Sequence, residues 1–129
     1  LLDLSAYRFS RSHEWLRQEG DTVVVGISDS AQDAVGDVVF VDLPSLSATV
    51  SMGGAVAEVE STKTVSAVLA PVAGQVVAIN EALANHPEML NEDPYGGGWI
   101  FCLQLADTDQ LASLMDEAAY LAYVEGLTP

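Results

Sequence analysis

The sequence predicts a mainly β chain with short helices and a helical tail, on three observations. β-Branched runs bounded by turn residues recur through the middle of the chain, as in Thr22–Ile27 and Val38–Leu43. The stretch 55–70 has strand composition over sixteen residues, beyond the usual 3–10 for a strand, so the chain must fold back inside it. Finally, Gly36-Asp37-Val38-Val39 is echoed by Gly74-Gln75-Val76-Val77, which predicts two similar β-halves facing each other across one core.

Taken in order, Thr22–Ile27 runs into Ser28-Asp29-Ser30, a helix-start signal before a short helix over Ala31–Val35. Gly36-Asp37 turns into the strand Val38–Leu43, which Pro44 stops. Thr49–Ser51 is a short strand, and Gly53-Gly54 a turn. Within 55–70 the polar cluster is Glu60-Ser61-Thr62-Lys63-Thr64, so the reversal falls there and Lys63 sits at a hairpin tip. The cluster holds no Gly, Pro or Asn, and turn chemistry gives this placement no support. Pro71–Gly74 makes the next turn and Gln75–Ile79 the next strand. Asn80 is expected to cap a helix over Glu81–Asn85, with Pro87 opening a turn through Leu90. Asn91–Gly98 reads as loop and Trp99–Leu105 as the last strand. In the tail, Leu111, Leu114, Met115, Ala118, Leu121 and Ala122 recur at helical spacing. Asp107, Thr108 or Asp109 caps that helix and Gly126 ends it. Residues 1–129 are expected to form a single domain, with its core over about 5–105 and its helical tail over about 107–126.

Charge narrows the function. Nineteen acidic residues face four basic ones, for a net charge of −15. Nucleic acid and anionic membrane are thereby disfavoured as partners, and proteins with basic docking faces are favoured. Half the residues are hydrophobic, enough for a core, yet no apolar stretch reaches the ~18 residues of a membrane span. The single cysteine, Cys102, lies in the alternating run Trp99–Leu103 and is expected to be a packed thiol in a reducing compartment. The chain opens on leucine, so its true start is expected to be missing or processed. Residues 1–20 lack the apolar core of a signal peptide, and a removed transit peptide stays open.

A catalytic centre is not legible. His13 and His86 lie far apart, Cys102 has no acid–base neighbour in sequence, and Gly96–Gly98 precedes a strand rather than following one. What stands out is that Lys63 is the only lysine. A lone amine on a protruding, ordered tip suits selective acylation, which turns a charged side chain into a neutral tether. The flanking apolar strands stiffen the tip, and Glu58 and Glu60 mark it with charge that a basic attaching enzyme could read.

These residues carry a resemblance. Val59-Glu60-Ser61-Thr62-Lys63, followed by Ala70-Pro71-Val72-Ala73-Gly74-Gln75-Val76, resembles the attachment hairpin of lipoyl and biotinyl domains. His13-Glu14-Trp15, Gly26-Ile27-Ser28-Asp29, Gly36–Pro44, Val77–Leu83 and Pro87–Tyr95 with Gly98-Trp99 narrow it. Together they look like the H protein family of the glycine cleavage system, over nearly the whole chain.

That resemblance implies a barrel-sandwich hybrid of two facing antiparallel sheets, with lipoate in amide linkage to Lys63 and Glu60, Ser61 and Thr62 forming the attachment motif. It implies a non-catalytic carrier whose dithiolane accepts the aminomethyl group of glycine at the pyridoxal-phosphate glycine decarboxylase (P protein). The arm then delivers the group to the aminomethyltransferase (T protein) and is reoxidised by dihydrolipoamide dehydrogenase. A lipoate ligase or transferase would load it. The setting implied is the cytoplasm of a bacterium, or the mitochondrial matrix of a eukaryote. Ser12 and Glu14 match positions that line a cleft for the loaded arm, where a carboxylate favours the protonated amine. Two departures stand out: Ala67 replaces an acid common in the family, and Thr62 replaces its usual valine. Other readings remain: a biotinyl domain, the lipoyl domain of a 2-oxo acid dehydrogenase, or an H-like lipoylation relay. Against the first, Thr62 and Thr64 flank Lys63 where biotin sites usually have methionines. Against the second, Ala/Pro-rich linkers are absent.

Overall fold

A computed structural model describes residues 4–126; the ends of the expected 1–129 span lie outside the described residues. The chain forms β1 (Tyr7–Phe9), β2 (Glu14–Glu19), β3 (Thr22–Ile27), α1 (Asp29–Val35), β4 (Val38–Asp42), β5 (Thr49–Val50), β6 (Ala55–Ser61) and β7 (Val65–Leu69). It continues through β8 (Gly74–Ile79), a 3-10 turn (Glu81–Ala84), α2 (Met89–Glu92), β9 (Phe101–Leu105), a second 3-10 turn (Thr108–Ser113) and α3 (Glu117–Gly126). Two antiparallel sheets result, one of six strands in the order β1-β2-β3-β9-β8-β5 and one of three in the order β4-β6-β7. The mainly β architecture of two antiparallel sheets is the one expected, and the echoing strands β4 and β8 lie in opposite sheets. Among the described residues no helix is long and apolar enough to cross a membrane.

The main core gathers Leu16, Val23, Val25, Phe101 and Leu103 of the six-stranded sheet with Val41, Val59 and Val68 of the other. Each such side chain contributes about 1.5–3 kcal/mol through removal from water. Alternate residues of β2, β3 and β9 point the opposite way, and Trp15, Val24 and Gly26 among them are buried too. Trp15 and Val24 join Tyr7, Phe9 and Tyr120 in a second cluster, against which Cys102, Tyr95 and Tyr123 pack. The Phe9 and Tyr120 rings stack at 4.4 Å, which fastens α3 to the sheet.

This double burial explains the two strands the sequence hid. With apolar cover on both faces, β2 reads Glu-Trp-Leu-Arg-Gln-Glu with no alternation, and β1 has three residues. Other differences have local causes. Helix α1 starts at Asp29, because the Ser28 hydroxyl accepts from the Ala31 amide and so caps it. Asn80 does not cap: its side-chain amide donates to the carbonyls of Gly97 and Trp99, tying down that loop, and residues 81–84 form a single 3-10 turn. Asn91 and Glu92, expected in the loop, end α2, while the last strand opens at Phe101 rather than Trp99.

The single tail helix is corrected to two pieces. Met115 exchanges backbone hydrogen bonds with Phe9 on edge strand β1, which removes it from any helix. Asp107 caps the piece before this bridge and Asp116 the one after it. Helix α3 then docks through Tyr120, leaving Ala118, Leu121 and Ala122 of the expected stripe exposed. Cys102 lies under the aromatic cluster, half-buried, and burial pushes its thiol up from the ordinary value, away from the reactive thiolate.

Trp15 sits flat over Gly26, its cross-strand partner, so closely that a Cβ there would lie 2.7 Å from indole carbons. Gly26→Ala is therefore expected to cost about 1–3 kcal/mol through overpacking. Urea titration should show a lowered midpoint at unchanged slope.

Candidate functional site: the lysine hairpin and the cleft beside it

The reversal between β6 and β7 falls where the polar cluster placed it, with Thr62, Lys63 and Thr64 at the tip. Its turn chemistry comes from Ser61, a signal present in the sequence but masked by the lack of Gly, Pro or Asn. The Ser61 amide donates to the Thr64 carbonyl at 2.8 Å. The Ser61 hydroxyl oxygen, buried at the root of the tip, accepts from the amides of Lys63 at 3.2 Å and Thr64 at 3.1 Å. A serine side chain thus bonds backbone two and three residues on, in place of a glycine or asparagine turn.

The tip is anchored from outside as well. The Thr62 amide donates to the Asp37 carbonyl at 3.1 Å, which docks it on the turn between α1 and β4. That turn is pinned by Asn91, whose amide donates to the Gly36 carbonyl and the Gln32 side chain while its oxygen accepts from the Val38 amide. Gly36 has φ +89, and the Lys63 stem lies over it: a Cβ at Gly36 would sit 3.0 Å from Lys63 Cε. Gly36 and Asn91 are site residues that sequence reasoning missed. The Gly36-Asp37 turn signal pointed toward the first, whereas nothing local marked the second.

Lys63 itself is exposed. Among the described residues the ion pairs are Arg17–Glu19 and His86–Glu88, and Lys63 takes part in neither. Glu60 and Thr62 are exposed beside it, and Glu58 lies one turn of the strand pleat further along.

Ser12 and Glu14 lie at the other end of β7. Glu14 is 2% exposed, with one carboxylate oxygen accepting from the Ser10 hydroxyl at 2.7 Å and the Ser12 hydroxyl at 2.5 Å. The second oxygen accepts from the Leu69 amide at 3.2 Å, so the carboxylate ties β2 to β7 and one sheet to the other. His13, in left-handed backbone at φ +74, closes the turn that brings the two serines round. Its ring nitrogen meets the Tyr120 hydroxyl at 2.7 Å, and that hydroxyl meets Ser28 Oγ at 2.6 Å. An open cleft of about 460 Å³ adjoins them, with Phe9, Ser12, Met52, Pro71 and Met115 in its walls. Ser12 lines it, while Glu14 lies beneath the wall and reaches it only through the seryl hydroxyls. Ala67 is exposed on β7, four residues from Lys63, or about 13 Å at strand rise. Among the described residues no group of three or more His, Cys, Asp and Glu side chains converges as a metal site.

This geometry sets two measurable expectations. Ser61→Ala leaves two tip amides to water, and the hairpin end should loosen by about 1 kcal/mol. Amide exchange at Lys63 and Thr64 should quicken roughly fivefold, with the β2 and β3 amides unchanged. Burial pushes the Glu14 carboxyl above its ordinary 4.5. The folded chain therefore keeps that proton where the unfolded chain has lost it, and from about pH 4.5 up to the raised value stability falls as pH rises. Above that value this contribution is level. In urea unfolding at stepped pH, the wild type should lose ground against Glu14→Gln across that window.

The comparisons agree with the fold. The family model for the glycine cleavage H-protein matches residues 7–126. The glycine cleavage system H proteins of Escherichia coli and Salmonella newport are each 50% identical over 119 residues, covering 92% of both chains. The crystal structure of a glycine cleavage system H protein from Mycobacterium marinum superposes with a TM-score of 0.86 at 38% identity, covering 94% of this chain and 98% of that one. With that family match over most of its length, the chain belongs to the glycine cleavage H-protein family.

Proposed function

We propose that this chain is the lipoyl-bearing carrier of a glycine cleavage system, with the arm attached at Lys63 Nζ. The observation that carries this reading is the tip itself: an exposed amine outside any ion pair found among the described residues, on a turn held by Ser61, with its stem seated on a glycine. An acyl group fits there, because the amine faces solvent and the Gly36 seat leaves room that a Cβ would fill. Lipoate bound in amide linkage supplies a dithiolane that takes up the aminomethyl group of glycine and gives it on.

The chain's own part is presentation. Ser61 and Asp37 fix the root of the lysine, so that an enzyme meets an ordered tip and loses little entropy on docking. Glu60 supplies negative charge beside the amine, and Thr62 fills the family's valine position while its amide holds Asp37. Ser12 would present its hydroxyl to a loaded arm in the cleft, and Glu14 behind it would favour a protonated amine. The partners on this reading are the glycine decarboxylase, the aminomethyltransferase, dihydrolipoamide dehydrogenase and the enzyme that attaches lipoate. Bacterial relatives support a cytoplasmic setting. The absence of an acid at Ala67 implies a looser hold on the loaded arm.

Intact mass after expression with a lipoate source should show a lipoyl increment that vanishes in Lys63→Arg. A biotin increment would overturn the cofactor assignment. The loaded chain, mixed with decarboxylase and aminomethyltransferase, should then support glycine-dependent turnover; loading without turnover would favour a lipoylation relay. Ala67→Asp should slow hydrolysis of the aminomethyl-loaded form, and equal rates in variant and wild type would remove any role for that position.

A further inference from the structure

The outer face of the three-stranded sheet carries an uneven set of side chains. Register places Phe40, Glu60 and Val65 in one rung across β4, β6 and β7, and Asp42, Glu58 and Ala67 in the next. All six are exposed, Phe40 at 53% and Val65 at 56%. The bulge between Val38 and Phe40 pushes Val39 out as well. Their inward-facing neighbours Val41, Val59 and Val68 are buried, so the apolar outer residues add nothing to the main core. Val39 and Phe40 on β4, and Val65 on β7 across the intervening Glu60 of β6, stand half in water, an exposure that folding alone does not account for. Three carboxylates lie in the same two rungs, and none belongs to an ion pair found among the described residues.

We propose that this face is the docking surface of the enzyme that acylates Lys63. Its partner surface is an apolar pocket for Phe40 and Val65, rimmed by Lys or Arg side chains that meet Glu60, Glu58 and Asp42. This rests on the carrier reading and adds β4, a strand outside the attachment hairpin, to what the enzyme reads. Position in the chain selects that occupant. Val65 and Glu60 lie two and three residues from the amine, so this face flanks the atom where the amide forms. Enzymes that act on the far end of a loaded arm work at a distance from it. In the step served, free-base Nζ forms a C–N bond to the carbonyl carbon of a lipoyl adenylate. AMP leaves with the C–O electron pair, and the nitrogen releases a proton. Exposed apolar anchors on either side of a carboxylate, with two more carboxylates in the next rung, combine binding energy with charge recognition, and the net charge of −15 speeds encounter with a basic surface.

The test uses the full chain, a purified lipoate ligase, lipoate and ATP, with product followed by intact mass. Phe40→Ser and Val65→Thr should each raise the KM for this chain by about tenfold with kcat within about twofold. Their urea midpoints should match the wild type, since both side chains lie outside the core. Asp42→Asn and Glu58→Gln should flatten the dependence of kcat/KM on salt. An unchanged KM in both apolar variants overturns the proposal. So does an equal fall in turnover when preloaded Phe40→Ser is presented to the glycine decarboxylase, which would make the face a general docking surface. A loss of self-association in Phe40→Ser with KM unaltered would assign the face to a second copy and also overturn it. If the wild type accepts no lipoyl group, the carrier reading fails first, and the two failures are told apart.

Discussion

A tip that leaves an amine exposed to solvent must satisfy its own backbone without drawing that amine inward. The β6–β7 hairpin meets this constraint with one hydroxyl. Ser61 Oγ accepts from the amides of Lys63 and Thr64, so the turn closes without engaging the lysine side chain. The Asp37 carbonyl takes the amide of Thr62 from outside the hairpin. Each bond is worth about 0.5–1.5 kcal/mol net, and together they fix the tip's conformation more than they add to global stability. The exposure of Lys63 accords with this, because the turn closes without its charge.

The scaffold behind the tip is stiff for a different reason. One face of the six-stranded sheet meets the three-stranded sheet, and the other meets aromatic rings and the C-terminal helix. Sliding β2 by one residue would put Trp15 where Leu16 packs and Leu16 where Trp15 packs, two side chains of different shape. Trp15 against Gly26 adds a fit that tolerates no extra carbon. The cost of this arrangement is legibility, since a strand buried on both sides loses the alternation that announces it.

That trade shows in which elements could be read from the chain. Strands with β-branched runs, such as Thr22–Ile27 and Val38–Asp42, lie where composition placed them, and the reversal is required by strand length and placed at Lys63 by the polar cluster. Strands β1 and β2 were hidden by double burial. The tail misled because its helical spacing is real but interrupted: Met115 is claimed by the edge of β1, a long-range pairing that no local window contains. At the site, the lysine and its acids stood out by rarity and charge. The brace at Asn91 depends on its side chain reaching Gln32, Gly36 and Val38 across 53 to 59 residues of sequence, and the seat at Gly36 on a lysine from the next hairpin, and position in the chain carries no trace of either.

Glu14 joins the scaffold to the cleft and is the least expected group in either. A carboxylate at 2% exposure that belongs to no ion pair found among the described residues is costly, and burial duly lifts its pKa despite three hydroxyl and amide donors. As a structural tie between β2 and β7 a neutral amide would serve as well, since one oxygen and one NH2 can satisfy Leu69 and the serines. The acid differs from such an amide in one respect: its charge responds to what enters the cleft. An ammonium group brought up to Ser12 would stabilise the ionised form and reverse the shift that burial imposes, with the gain shared by both groups. On the proposed carrier reading, this buried, hydrogen-bonded acid would meet an amine cargo through Ser12 at the root of the cleft, a use for its charge that a purely mechanical tie does not need.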